Sequence, residues 1–304
     1  MTDFELPVFY SPDYVLADHA FDTTRKAAWI ADSLRERPIA GVRLIEPEAL
    51  TAEQLAEVHD FAYVEAVRTG EPVGLAESQG FPWGDRLWRM VCATNGGAVA
   101  AAIAALNSQS AASSLSSGLH HAKRGHGDGY CTFNGLALAT RAAQSAGASR
   151  ILIIDLDAHC GGGTAELLGD DPGVHQLDVA VDSYDGYSPS RDWTLDVVYD
   201  AADYLSTIRR RLEELDLPAK AFDLVLYNAG MDPFERSAVG GLRGISAAFL
   251  AEREQLVFDW CRGNSLAVAF VLAGGYALGK KGQSELVELH RSTIAAAADA
   301  AGSS

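Results

Sequence analysis

The sequence predicts an α/β protein built on a single open, mostly parallel sheet with helices on both faces. Short, continuously apolar runs bounded by turn residues recur along the chain, as strands buried on both faces require. Between them lie stretches rich in Ala, Leu and Glu with helical patterning. Strand and helix alternate through most of the 304 residues, the order that crossover-connected parallel strands produce. No internal repeat and no long Pro/Ser linker divides the chain, so residues 1–304 are read as one domain.

Taken in order, "VRLIEP" near Val42 reads as the first strand, followed by helical patterns from Thr51 to Arg68, Asp85 to Leu106 and Leu136 to Ala146. "RILIIDLD" sets four large aliphatic residues in a row from Ile151 and reads as a central strand. "VHQLDVA" near Val174 reads as a strand, Thr194 to Leu215 as a helix, and "DLVLYNAG" near Leu224 as a strand. A helix from Ser246 to Arg262 and a last strand, "LAVAFVLAGG" near Leu266, complete the series.

Composition narrows the functional classes. Hydrophobic residues make up 48% and charged residues 21%, values of a soluble globular protein. Acidic residues number 41 against 24 basic, a formal charge of −17, which repels phosphate backbones and argues against direct nucleic-acid binding. The same charge serves solubility or attracts cationic substrates. Cys92, Cys131, Cys160 and Cys261 lie far apart with no CxxC pair, which fits a reducing compartment rather than a disulfide framework. The start "MTDFELPVFY" lacks a signal-peptide pattern, and the longest apolar run, "AVAAAIAAL", is too short to span a bilayer. A soluble, cytoplasmic protein without a membrane partner is expected.

In open parallel sheets ligands collect outside the carboxyl ends of the strands, and the polar clusters fall there. Asp155, Asp157 and His159 follow the Ile151 strand, Asp232 follows the Leu224 strand, and Tyr276 follows the Leu266 strand. His120 and His121 stand together in "GLHHAKRGHGDGYCTFN", just before the Leu136 helix. Ionisable groups at the mouth of an apolar strand are costly to desolvate unless something pairs with them. Residues two apart in extended backbone point the same way, so Asp157 and His159 aim at one point. With Asp232 they make a three-ligand metal site with an open position, the form of a catalytic zinc. Such a metal polarises a carbonyl and activates a water. His121 or His120 then supplies a base near neutral pH, and Tyr276 a hydrogen bond to the developing oxyanion. His19, His59, His126, His175 and His290 lack such context and are taken as structural or exposed; Cys131 is read as packing.

With these residues in place, the sequence resembles the zinc-dependent histone deacetylases and acetylpolyamine amidohydrolases, on the arginase–deacetylase fold. The similarity rests on "GLHHAKRGHGDGYCTFN", "DLDAHCGGGT", "YNAGMDPFERSAVGGL" and "LAGGY", and spans His19 to Tyr276. The wording of "HAFDTTRKAAWIADSL", "DLDAH" and "LVLYNAGMD" is closest to the class IV branch. The resemblance implies that Asp157, His159 and Asp232 bind zinc. It makes His121 the general base and then acid, His120 its electrostatic partner, and Tyr276 the carbonyl-polarising donor. It pairs Asp155 with His120 and gives it a part in holding a structural monovalent cation, potassium. Gly129 and Tyr130 match one wall of an acyl-lysine channel, which Gly274 and Gly275 also line. The opposite wall is Tyr184 or Tyr187. The implied activity removes an acyl group from an acylated amine, acyl-lysine first, with acylpolyamines or small-metabolite amides as the alternative.

Several positions depart from the family pattern. Cys160 stands where relatives often carry His or Gln, and Gly162 where they carry Asp or Asn, which implies a His121 without its supporting carboxylate. Ser237-Ala238 replaces a frequent Asp-Pro, and Asp85 alone in "SQGFPWGD" offers a rim carboxylate for gripping substrate. Two rival readings are a dinuclear manganese ureohydrolase and a non-catalytic acyl-binding module. The first needs a further carboxylate where Gly161 stands. The second is motivated by Gly162, against a complete set of ligand and acid–base residues.

Overall fold

A computed structural model describes residues 5–17, 19, 24–215, 221–276 and 279–302. Residues 20–23 of the N-terminal motif therefore lie outside the described residues. The strands are β1 (Leu6–Phe9), β2 (Val42–Ile45), β3 (Ala111–Ser114), β4 (Ile151–Asp155), β5 (Val174–Ala180), β6 (Trp193–Val197), β7 (Leu224–Gly230) and β8 (Val268–Ala273). They form one 8-stranded sheet in the order β2-β1-β3-β8-β7-β4-β5-β6. Every pairing is parallel, so the expected sheet is parallel throughout.

The helices are α1 (Lys26–Glu36), α2 (Ala52–Leu55), α3 (Phe61–Thr69), α4 (Val73–Ala76), α5 (Asp85–Ser108), α6 (Gly135–Ser145), α7 (Gly162–Leu168), α8 (Ala201–Glu214), α9 (Ala247–Gly263) and α10 (Gly279–Gly302). Two cores follow from the strand alternation. Leu152, Ile154, Val225, Tyr227 and Phe270 pack with Ile30 of α1, Ile208 of α8, Val257 of α9 and Ile294 of α10. Ile151, Ile153, Leu224, Leu226 and Val271 face the other way, onto Val64 of α3, Ala101 of α5, Leu138 of α6 and Leu167 of α7. By length and composition α5 is apolar enough to cross a membrane. Here it buries Leu87, Val91, Ala98, Ala101, Ala102 and Ala105 within the core.

Two expected helices differ in extent. Thr51 to Arg68 is broken into α2 and α3, because the chain between them turns to bury Val58 and His59 and the Asp60 N–H donates to the Arg124 carbonyl (2.8 Å). Thr194 to Leu215 begins as the edge strand β6, and α8 starts only where Asp200 caps it by accepting the Ala202 N–H. This topology sets the carboxyl ends of β4, β7 and β8 side by side at the centre of the sheet.

Candidate metal centre and acyl channel

The loop after β4 carries Asp157 and His159, and the end of β7 carries Asp232. One ligand atom from each lies within 4.8 Å of the others, and all three residues are buried. His159 Nδ1 is 3.1 Å from Asp157 Oδ1 and 3.3 Å from Asp232 Oδ2. Among the described residues this is the group able to hold a metal ion. Asp232 Oδ1 accepts the Ala158 N–H (3.0 Å), while its buried Oδ2 accepts no hydrogen bond, as an atom reserved for a cation would. Burial, and then Asp157 beside it, pushes the Asp232 carboxyl up to about 6. Burial opposes charge on His159 too, but Asp157 and Asp232 outweigh it and raise that imidazole to about 11. Two carboxylates converging on a third donor want a cation between them, and the donor set fits a divalent ion.

Gly274, immediately after β8, has φ 54°, and a Cβ there would overlap the Asp232 carboxylate. Only glycine lets the turn pass so close. Gly275 follows at φ 86°, and Tyr276 then lines the same cavity as Asp157, His159, His120 and His121. Ser237 and Ala238, which stand in place of the frequent Asp-Pro, are tied to this turn. The Tyr276 N–H meets Ser237 Oγ (3.3 Å), and the Ala238 N–H donates to the Tyr276 carbonyl (3.0 Å).

The His120 and His121 rings lie side by side, tilted 44° to each other with centroids 4.1 Å apart. His120 Nδ1 is 2.7 Å from Asp155 Oδ2, and its Nε2 is 3.5 Å from Asp157 Oδ1. Burial works against its charge, but Asp155 and Asp157 raise the imidazole to about 10. His121 is shifted the other way, lowered by burial and then by the charge of His120. The two adjacent imidazoles are thus shifted in opposite directions by their surroundings. The expectation that Gly162 leaves His121 unsupported is corrected: His121 Nδ1 lies 3.0 Å from Asp185 Oδ2, a carboxylate from the β5–β6 loop.

Tyr130 (φ 64°) and Tyr184 stand exposed at the mouth, and the structure selects Tyr184 as the second wall. Its ring meets His121 edge-on at 5.0 Å, and its hydroxyl donates to Asp128 Oδ1 (2.6 Å). Tyr187 instead donates its hydroxyl to the Thr194 carbonyl and, half-buried, packs against the core. Gly129 (φ 51°) turns the chain against the His121 ring, where a Cβ would overlap it. Asp128 and Asp182 are the carboxylates lining the mouth; Asp85 sits on the first turn of α5 and does not line it. From the candidate metal ligands the cavity, about 90 Å³, extends to Leu115, Ser116, Met90 and Tyr14.

Three residues of the site escape sequence reasoning. Lys26 of α1 is fully buried, donates to the Gly274 carbonyl (2.6 Å), and is lowered by burial to about 8. Its signal was a lysine on an otherwise apolar helix face. Asp178 of β5 pairs in register with Asp155 and accepts the Gly161 N–H, while its buried Oδ1 accepts nothing. Burial, then Asp155, pushes its carboxyl well up. An aspartate inside an apolar strand marked it. Asp185 gave no signal, since its partner is distant in sequence.

Residues 19–291 match the family model of the histone deacetylase domain, and the chain belongs to that family. It is 33% identical over 279 residues to an uncharacterized protein of Picosynechococcus sp., covering 89% of this chain and 92% of that one. It is 30% identical over 168 residues to histone deacetylase 2 of Arabidopsis thaliana, 53% of this chain and 43% of the plant protein. With the acetoin utilization protein AcuC of Bacillus subtilis it shares 31% identity over 147 residues, 45% of this chain and 38% of that one. The fold is that of the acetylpolyamine aminohydrolase from Burkholderia pseudomallei (TM-score 0.78, 19% identity, 96% of this chain and 98% of that). It is equally that of the HDA15 HD domain (TM-score 0.79, 20% identity, 99% and 93%). The sheet is accordingly of the arginase–deacetylase type.

Proposed function

We propose that this protein is a zinc-dependent amide hydrolase that removes an acyl group from an acylated amine, with acyl-lysine as first substrate and acylpolyamine as second. The buried Asp157–His159–Asp232 cluster, sharing one cavity with His120, His121 and Tyr276, carries the reading. When bound there, zinc supplies Lewis-acid polarisation and a water of lowered pKa. His121, kept neutral by burial and by His120, takes the proton of the attacking water and returns it to the departing amine. Tyr276 donates to the carbonyl oxygen as it becomes an oxyanion. Tyr130 and Tyr184 admit a slender neutral chain. Asp128 and Asp182 at the mouth, with the −17 overall charge, support a cationic amine as the second reading. The Asp155–Asp178 pair is where a monovalent cation such as potassium would be held, Asp178 Oδ1 being unclaimed. The four cysteines are unpaired thiols, which supports a cytoplasmic setting.

The test is metal analysis together with acyl-lysine peptides and acylpolyamines of graded chain length, assayed with zinc and with a chelator. Amide hydrolysis lost on chelation and restored by zinc, at one ion per active site, is expected. Two manganese ions with activity on a guanidino compound, or tight acyl binding without turnover, would overturn it.

A further inference from the structure

Asp185 is held as few loop residues are. Its backbone sits at φ 57°, the left-handed region that non-glycine residues seldom adopt. The loop around it is pinned: the Cys160 N–H donates to the Tyr184 carbonyl (3.0 Å), and the Tyr184 N–H to Asp182 Oδ1 (2.8 Å). The carboxylate itself is buried and receives donors only. His121 Nδ1 and the Gly163 N–H both reach Oδ2 at 3.0 Å, and the Lys123 ammonium pairs with Oδ1. A Cβ built on Gly162 would overlap both the carbonyl and the carboxylate of Asp185.

We propose that Asp185 is the positioning residue of His121, and that position 162 is glycine because this carboxylate, arriving from another loop, fills the volume a side chain there would need. The inference rests on the hydrolase reading for its consequence, but not for its geometry. An ionised carboxylate only accepts, so His121 carries its proton on Nδ1 and presents Nε2 as a lone pair. That is the tautomer a base must have to take a proton at Nε2. Lys123 fixes the other oxygen, which leaves the carboxylate no second orientation. Gly163 ties the same carboxylate to the start of α7, so the ring of His121 is referenced to the helix that follows the metal loop.

The three donors make the isosteric amide a sharp probe. In Asp185→Asn one end of the side chain becomes a donor. It faces either Lys123 or the His121–Gly163 pair, a donor against a donor in both orientations. With Lys123 kept, the carbonyl end turns to the ammonium and the amide NH₂ to His121, which drives the proton to Nε2. In the full-length, zinc-loaded protein Asp185→Asn should therefore lower kcat on the order of 10²-fold, with KM and zinc content unchanged. Adding Lys123→Met frees the amide to turn its carbonyl to His121 and should recover most of that loss. A purely structural role predicts the reverse, since Asn preserves shape while loss of Lys123 removes a tether.

A second readout needs no turnover. Side-chain ¹⁵N NMR should find the His121 proton on Nδ1 in the native protein, on Nε2 in Asp185→Asn, and again on Nδ1 in the double variant. Gly162→Ala, which keeps the carboxylate but crowds it, should weaken the Nδ1–H signal and lower kcat. Native kcat in Asp185→Asn, or the same tautomer in all variants, would overturn the proposal. If the native protein hydrolysed no acyl amine, the hydrolase reading would fail, and the tautomer comparison would still decide the role of Asp185.

Discussion

Acid should destabilise this protein through His59, and the size of the effect follows from its surroundings. The residue is buried, with Nδ1 2.8 Å from the Lys123 carbonyl and Nε2 accepting the Asn134 N–H at 3.0 Å. A carbonyl only accepts and a backbone N–H only donates, so this imidazole is neutral with its proton on Nδ1. Protonating it would point a second N–H at the Asn134 N–H inside an apolar pocket. Burial accordingly lowers the group from 6.5 to about 4. The unfolded chain binds this proton below the ordinary value, the folded chain only near the lowered one. Stability is therefore whole above pH 6.5 and falls as pH drops towards about 4, at most about 1.4 kcal/mol per pH unit. By pH 5 the loss is about 2 kcal/mol. The consequence reaches the site, since Asn134 caps α6 and its Nδ2 contacts the His120 carbonyl (3.3 Å). His59→Gln, whose amide supplies one donor and one acceptor, should remove the term. Urea denaturation of both proteins from about pH 7.5 to pH 5 should show the native protein losing about 2 kcal/mol more than the variant. Equal losses would refute the argument and mean that His59 protonates in the folded state as easily as in the unfolded one.

Tyr276→Phe should lower kcat on the order of 10²–10³-fold with zinc content unchanged, measured by steady-state kinetics and metal analysis. Near-native turnover would show that the hydroxyl plays no part in stabilising the oxyanion. The fully buried Arg253–Glu254 pair of α9, whose arginine also donates to the Leu156 carbonyl between Asp155 and Asp157 (3.1 Å), gives the remaining one. Glu254→Gln, leaving the guanidinium charge unpaired, should cost about 3–5 kcal/mol in denaturation, whereas replacing Arg253 and Glu254 together by Met and Leu should cost far less.

What the sequence discloses and conceals has a physical pattern. β4, β5, β7 and β8 are legible because strands buried on both faces must be apolar along their length. The candidate ligands Asp157, His159 and Asp232 are legible because charge at the end of such a strand demands a partner. β3 has the sequence Ala-Ala-Ser-Ser and is wholly buried, yet carries no apolar run. It is a strand because β1 and β8 pair with it, and its residues are small where α5 presses on it. β6 is hidden for a related reason: an edge strand half open to solvent alternates with Asp196 and runs straight into the pattern of α8. These elements are decided by neighbours far along the chain, which no local period records.

Asp185 carries that reasoning into the chemistry. Comparison by position makes Gly162 a missing carboxylate and His121 an unsupported base, because position stands in for place. In the folded chain the two differ. The loop after β5 enters the space left open at Gly162 and brings a carboxylate to His121 Nδ1. Tyr184, the neighbouring residue, lines the mouth of the cavity from the same loop. On the proposed reading, a substrate that pushes on Tyr184 also pushes on the segment that holds His121. The proposed function would then join selection of the acyl chain to the competence of His121 through one short loop, in a way that a carboxylate fixed at position 162 on α7 would not allow.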